Sequence, residues 1–302
     1  MPPRSGRLSD PHLRKCYAIL SAADAAEARG DAAAALDVMA PHQFGPDGQP
    51  FWAPWRVRML AEILDAGPAL PRWAVSRWIL AQALRHLPDN SNRMRRALQV
   101  AIDLRGGVHL LQGVDQLDAL CHVKDHDWVY RQVFLHDLGG LRHFLRHGAT
   151  PDLLAGADRI REWVGASLGG YRLLDDGRWQ DLGSGEELEL LDLGARSYVR
   201  SDDCVLGRVV PIASGAMFET APLTVPESVA VEVTRNPAGW LDALRRGCLR
   251  YGVGPCRGIA TPEGAIVLAG AHDYALLTDE SGLGWSPTPR TTRRHQGPPD
   301  AA

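Results

Sequence analysis

The sequence predicts a multidomain chain: an all-α helical N-terminal domain over residues 1–168, then a small α+β domain over 169–286 and a disordered tail over 287–302. The second domain is expected to be an antiparallel sheet or half-barrel with one helix. Three observations predict this. At 302 residues the chain can bury two cores of ordinary size. From about residue 12 to 165 apolar residues recur at three- and four-residue steps, punctuated by helix caps. Beyond residue 168 the pattern changes to short apolar runs between glycine turns, the grammar of strands and hairpins.

Composition bounds the class further. Hydrophobic content of 45% and charged content of 23% are those of an ordinary globular protein. The formal net charge of −3 gives the whole chain no strong attraction to nucleic acid or anionic membrane. Lysine stands only at Lys15 and Lys124, so nearly all positive charge is arginine, as coding bias in a GC-rich bacterial genome would produce. The start, MPPRSGRLSDPHLRK, lacks an apolar run after its basic residues, and no stretch approaches the roughly 18 apolar residues of a spanning helix. Cys16, Cys121, Cys204, Cys248 and Cys256 are scattered and odd in number, which fits reduced thiols. Together these predict a cytoplasmic protein with no membrane partner.

The helical elements follow in order. AILSAADAAEARGDAAAALDVMA carries Ala and Leu at helical steps on both sides of Gly30-Asp31, so two antiparallel helices meet at a short turn. Ala25, Gly30, Asp31, Ala35 and Leu36 resemble the turn region of a tetratricopeptide hairpin over about 25 residues, with no second copy at that family's 34-residue period. The resemblance implies a helical hairpin and peptide binding. Residues 41–56 form a Pro/Gly turn region with Phe51, Trp52 and Trp55, followed by an amphipathic helix through Leu64. Pro71 opens a helix holding Trp73 and placing Ala74, Trp78 and Ala81 on one face. Tryptophans at this spacing are read as core or, alternatively, as the lining of a peptide groove. Pro88 to Ser91 break the chain before a helix with Arg93, Arg95 and Arg96 near its start. Cations there oppose the helix dipole and favour a nearby anion. Asp125 or Asp127 caps a helix from Trp128, Gly139-Gly140 turns the chain, and Thr150-Pro151 starts another capped helix. Gly165 and Gly169-Gly170 are expected to end the helical half.

Past that point YRLLDDGRWQDL, EELELLDL, CVLGRVVPI and MFETAPLTV read as strands, and AIVLAG and DYALLTDE as later ones. One helix intervenes from about Pro226 to Leu249, interrupted at Asn236-Pro237. The stretch ELELLDLGARSYVRSDDCVLGRVVPIASGAMFETAPLTV is similar to the β-rich C-terminal part of uncharacterised proteins of high-GC bacteria. That resemblance implies a recurrent module and no particular activity.

Reaction motifs are few. The sequence has no GxxxxGK[ST] and no CxxC. CHVKDHDWVYRQVFLHDLGGLRHFLRH, residues 121–147, contains His122 with His126 and His143 with His147, each pair at a spacing that can offer two metal ligands from one helix face. Leu141 and Leu145 define a buried face that turns His143 and His147 outward beside Arg142 and Arg146, whose charge would repel a dication. The expected function is therefore an interaction or regulatory module without catalysis or cofactor. It would bind a protein or peptide through Trp52, Trp55, Trp73, Trp78, Arg93, Arg95 and Arg96. The alternatives are a metal-dependent hydrolase built on His122, His126, His143 and His147 with Asp125 or Asp137, and nucleic-acid binding through Arg93, Arg95 and Arg96.

Overall fold

A computed structural model describes residues 11–45, 48, 51–85, 91–104, 120, 123–125, 127–193, 195, 199–250, 258–260 and 266–268. Helices α1 (Pro11–Ala28) and α2 (Ala32–Met39) form the expected hairpin. Its turn is set by Gly30 at φ 77° and by Asp31, whose side chain accepts a hydrogen bond from Ala34 N at 2.9 Å. The small faces Ala23/Ala26 and Ala32/Ala35 are buried, which lets the two helices approach closely.

α3 (Pro54–Ala66) has proline in its first turn and stops at Gly67, and α4 (Arg72–Arg85) follows a short 3₁₀ turn. Trp73, Ala74, Ser76, Trp78, Ile79, Leu80, Gln82 and Ala83 of α4 are all buried. A helix buried this far around is a central one. α5 (Ser91–Leu104) buries Ala97, Ala101 and Leu104. α6 (Trp128–Gln132) is capped by Asp127, whose Oδ1 accepts from Tyr130 N at 2.6 Å, and it runs into one π turn over Val133–Asp137 closed by Leu138 N→Val133 O. α7 (Gly140–His147), α8 (Pro151–Gly156, capped by Thr150) and α9 (Ile160–Trp163) complete the helical half.

The C-terminal part carries an antiparallel six-stranded sheet of β1 (Leu168–Leu173), β2 (Trp179–Asp181), β3 (Glu187–Leu188), β4 (Cys204–Ile212), β5 (Gly215–Phe218) and β6 (Leu223–Val225). The order is β3-β2-β1-β4, and both β5 and β6 pair with the far edge of β4. Val209 faces Phe218 and Leu206 faces Leu223, so the register slips by two residues between the two pairings. Residues 219–222 are that bulge, and they aim Glu219 and Thr220 into the interior. α10 (Glu227–Arg235) covers the sheet, and α11 (Trp240–Arg250), separated from it at Asn236-Pro237, packs on α10. A separate hairpin pairs β7 (Gly258–Ala260) with β8 (Ile266–Leu268).

Gly169-Gly170 lie inside β1 and do not merely end the helical half. The reason is close approach. A Cβ on Gly170 would collide with the Ala230 carbonyl of α10, so the glycine lets that helix sit directly on the strand.

The larger core cluster draws on both halves of the chain, from Ala23 through Trp163 to Leu206, Val229 and Leu244. A smaller cluster, Tyr171, Leu173, Trp179, Leu190, Val199, Val205 and Phe218, lies apart from it. The tail expected after Ser286 falls outside the described residues.

Candidate functional site

Two buried ion clusters organise the described chemistry. The first surrounds Glu27, which has 0% exposure on α1. Its carboxylate accepts from Arg56 Nε at 2.7 Å, Arg85 Nη2 at 2.7 Å, Arg85 Nη1 at 3.1 Å and Trp78 Nε1 at 2.8 Å. Arg56 reaches on to Asp24 at 2.6 Å. Each arginine is covered by an aromatic ring, Arg56 by Trp52 at 5.2 Å and Arg85 by Trp55 at 5.6 Å. Burial alone would push the Glu27 carboxyl up. Arg85 and Arg56 outweigh it and bring the pKa down to about 2.

The second cluster joins the π turn to the sheet bulge. His136 Nε2 lies 2.8 Å and 3.0 Å from the two Glu219 oxygens, and Gln132 Nε2 donates to Glu219 at 3.2 Å. Arg208 Nε on β4 donates to Gln132 Oε1 at 2.7 Å, which fixes the orientation of that amide. Trp240 Nε1 of α11 donates to Asp137 at 3.0 Å. Burial would raise the Glu219 pKa, but His136, Arg208 and Arg131 together lower it. At Asp137 burial prevails over Trp240 and Arg208, and the pKa is raised. The π turn matters here because it puts His136 and Asp137 beside the sheet while Val133, Phe134 and Leu135 remain in the core.

Between the clusters lies a narrow cleft. Trp55 and Met59 of α3, Arg77, Leu80, Leu84 and Arg85 of α4, then Lys124, Asp125, Arg131 and Glu219 line it. Its volume of about 30 Å³ is room for about two waters. Four cations face two carboxylates. Lys124 makes no ion pair among the described residues.

The residues singled out by sequence separate into groups. Trp52, Trp73 and Trp78 are buried in the core, and Trp55 is the one of the four that lines the cleft. The structure brings Trp52, Trp55 and Trp78 together around the Glu27 arginines. Arg95 and Arg96 are exposed on α5 and Arg93 is half-buried, away from the cleft lining. Arg95 donates to Asn92 at 2.7 Å. The rings of His143 and His147 lie 4.8 Å apart, with His147 exposed. His122 and His126 lie outside the described residues, so their convergence with the second pair is not among the geometry seen. Among the described residues no three His, Cys, Asp or Glu side chains come together as a metal site would need.

Glu27, Arg56, Arg85, Gln132, His136, Arg208 and Glu219 carried no signal in a one-dimensional reading. Glu27 sits in an alanine-rich amphipathic run that reads as a solvated acid, and Glu219 sits in FET, an ordinary strand end. The chain matches no family model, no curated protein and no solved structure.

Proposed function

We propose that the protein is a non-catalytic interaction module that holds an acidic peptide segment against the cleft between α3, α4 and α6. The observation that carries this reading is the charge of the cleft. Arg77, Arg85, Lys124 and Arg131 line it with Asp125 and Glu219, on a chain whose formal net charge is −3; Arg85 is also held by Glu27 and Asp24, and Lys124 is the lining cation that makes no ion pair among the described residues. A local positive field on a mildly acidic protein selects an acidic partner and speeds its approach. Trp55, Met59 and Leu84 supply an apolar rim for a neighbouring side chain. The small volume fits surface engagement by a carboxylate tip, with the peptide backbone lying outside.

The test is fluorescence anisotropy of the full chain with a labelled Glu/Leu peptide and a Lys/Leu peptide of equal length. The acidic peptide is expected to bind more tightly, and Lys124→Glu to weaken it by about tenfold. Equal binding of both peptides, or no effect of Lys124→Glu, would sink the reading. Preference for a single-stranded oligonucleotide, lost on charge reversal of Arg93, Arg95 and Arg96 and falling steeply with salt, would favour nucleic-acid binding instead.

A further inference from the structure

Arg85 also borders a second and larger cavity, which opens between α1, α4 and α7. It has a volume of about 190 Å³ and is walled by Ser21, Asp24, Gln82, Arg85, Phe144 and Gly148. For scale, a buried cavity of about 150 Å³ accommodates benzene. A six-membered ring therefore fits.

Three features select the occupant. Gln82 is 5% exposed and lies on the cavity wall, and its Nε2 has no acceptor among the described residues. A buried amide donor left unpaired is costly, and rotation about its last side-chain bond presents it to an occupant's oxygen. The charges of the wall then cancel, since Asp24 and Arg85 belong to one network with Glu27 and Arg56, two carboxylates against two guanidinium groups. A net ionic ligand gains nothing there. Finally, Asp24 keeps 47% exposure after its Oδ1 is engaged by Arg56, so its second oxygen remains to accept from a hydroxyl, with Ser21 beside it. Phe144 offers an apolar wall to C–H groups.

We infer that this cavity is a binding site for a small neutral polyol of monosaccharide size. Gln82 donates to one ring hydroxyl oxygen, and Asp24 accepts from another hydroxyl. A site of this kind discriminates by its hydrogen bonds, because an occupant lacking the hydroxyls leaves the Gln82 amide unpaired.

Saturation-transfer NMR on the full chain with D-glucose and with myo-inositol tests this, with acetate and tetramethylammonium as charged controls. Transfer to at least one polyol is expected, and Gln82→Met, close in shape and without the amide, should weaken it by about tenfold. Ser21→Ala, an exposed change that leaves folding intact, should weaken it several-fold and serves if Gln82→Met melts early. No transfer to either polyol, equal binding by the folded Gln82→Met protein, or stronger transfer to a charged control would each overturn the inference.

Discussion

A carboxylate without solvent contact keeps its charge only where surrounding donors outweigh the cost of burial, and at Glu27 they do. Its pKa falls from the ordinary 4.5 to about 2. Because the folded value lies below the unfolded one, this group's stabilisation is complete above about pH 4.5 and is lost as the pH falls toward 2. The shift corresponds to about 3 kcal/mol. Urea unfolding across that acid range should show a slope that Glu27→Gln flattens. At neutral pH the same substitution should cost about 3–5 kcal/mol, since it leaves two buried guanidinium groups short of a counter-charge. An unchanged urea midpoint at neutral pH would show that the network contributes nothing net. Trp52 and Trp55 gain a meaning at this scale that their spacing does not give. They are covers for the two arginines, and only the folded arrangement of α1, α3 and α4 reveals it.

At the scale of elements, the signals that act over three or four residues were legible and the rest were not. Thr150 caps the helix that the sequence assigns to it, Asp127 is the one of the two offered acids that caps the helix from Trp128, and Asp31 caps its helix at the turn read there, because an N-cap is a local bargain between one side chain and one nearby N–H. The break at Asn236-Pro237 is legible for the same reason. The π turn at Val133–Asp137 is hidden. Trp128 to Leu135 are all buried, so no amphipathic period is available to show where the helix widens. The bulge at 219–222 is hidden too, since its register slip exists only relative to β4. These two unread irregularities place His136 and Glu219 against each other. The cap is testable alone: Asp127→Ala should destabilise the protein by about 1–2 kcal/mol, and Asp127→Asn, which keeps an acceptor, by less. Thermal melts that rank the two variants equally would place the effect elsewhere, because Asp127 is itself buried.

For the whole molecule, residue 168 marks a change of secondary structure through which the main core continues. Trp163 Nε1 donates to Pro211 O at 3.0 Å, Ala213 N donates to Asp158 at 2.6 Å, and the His136–Glu219 pair with Gln132 and Arg208 ties the π turn to the sheet. The change from helical to strand grammar was legible because periodicity is a property of the chain. The contacts between the two parts were not, because they depend on polar pairs 48 to 87 residues apart in sequence, such as Trp163 with Pro211 and Gln132 with Glu219. Elements joined in this way should unfold as one cooperative unit. Far-UV circular dichroism, which reports mainly the helices, and hydrogen exchange of Val205, Leu206 and Val210 in β4 should give the same midpoint in urea. Glu219→Ala removes the acceptor shared by His136 and Gln132 and leaves buried donors unpaired, so it should lower both midpoints together by an amount equivalent to about 3 kcal/mol. If only the β4 amides lose protection while the helical signal keeps its midpoint, the halves are separable and the polar seam does not couple them.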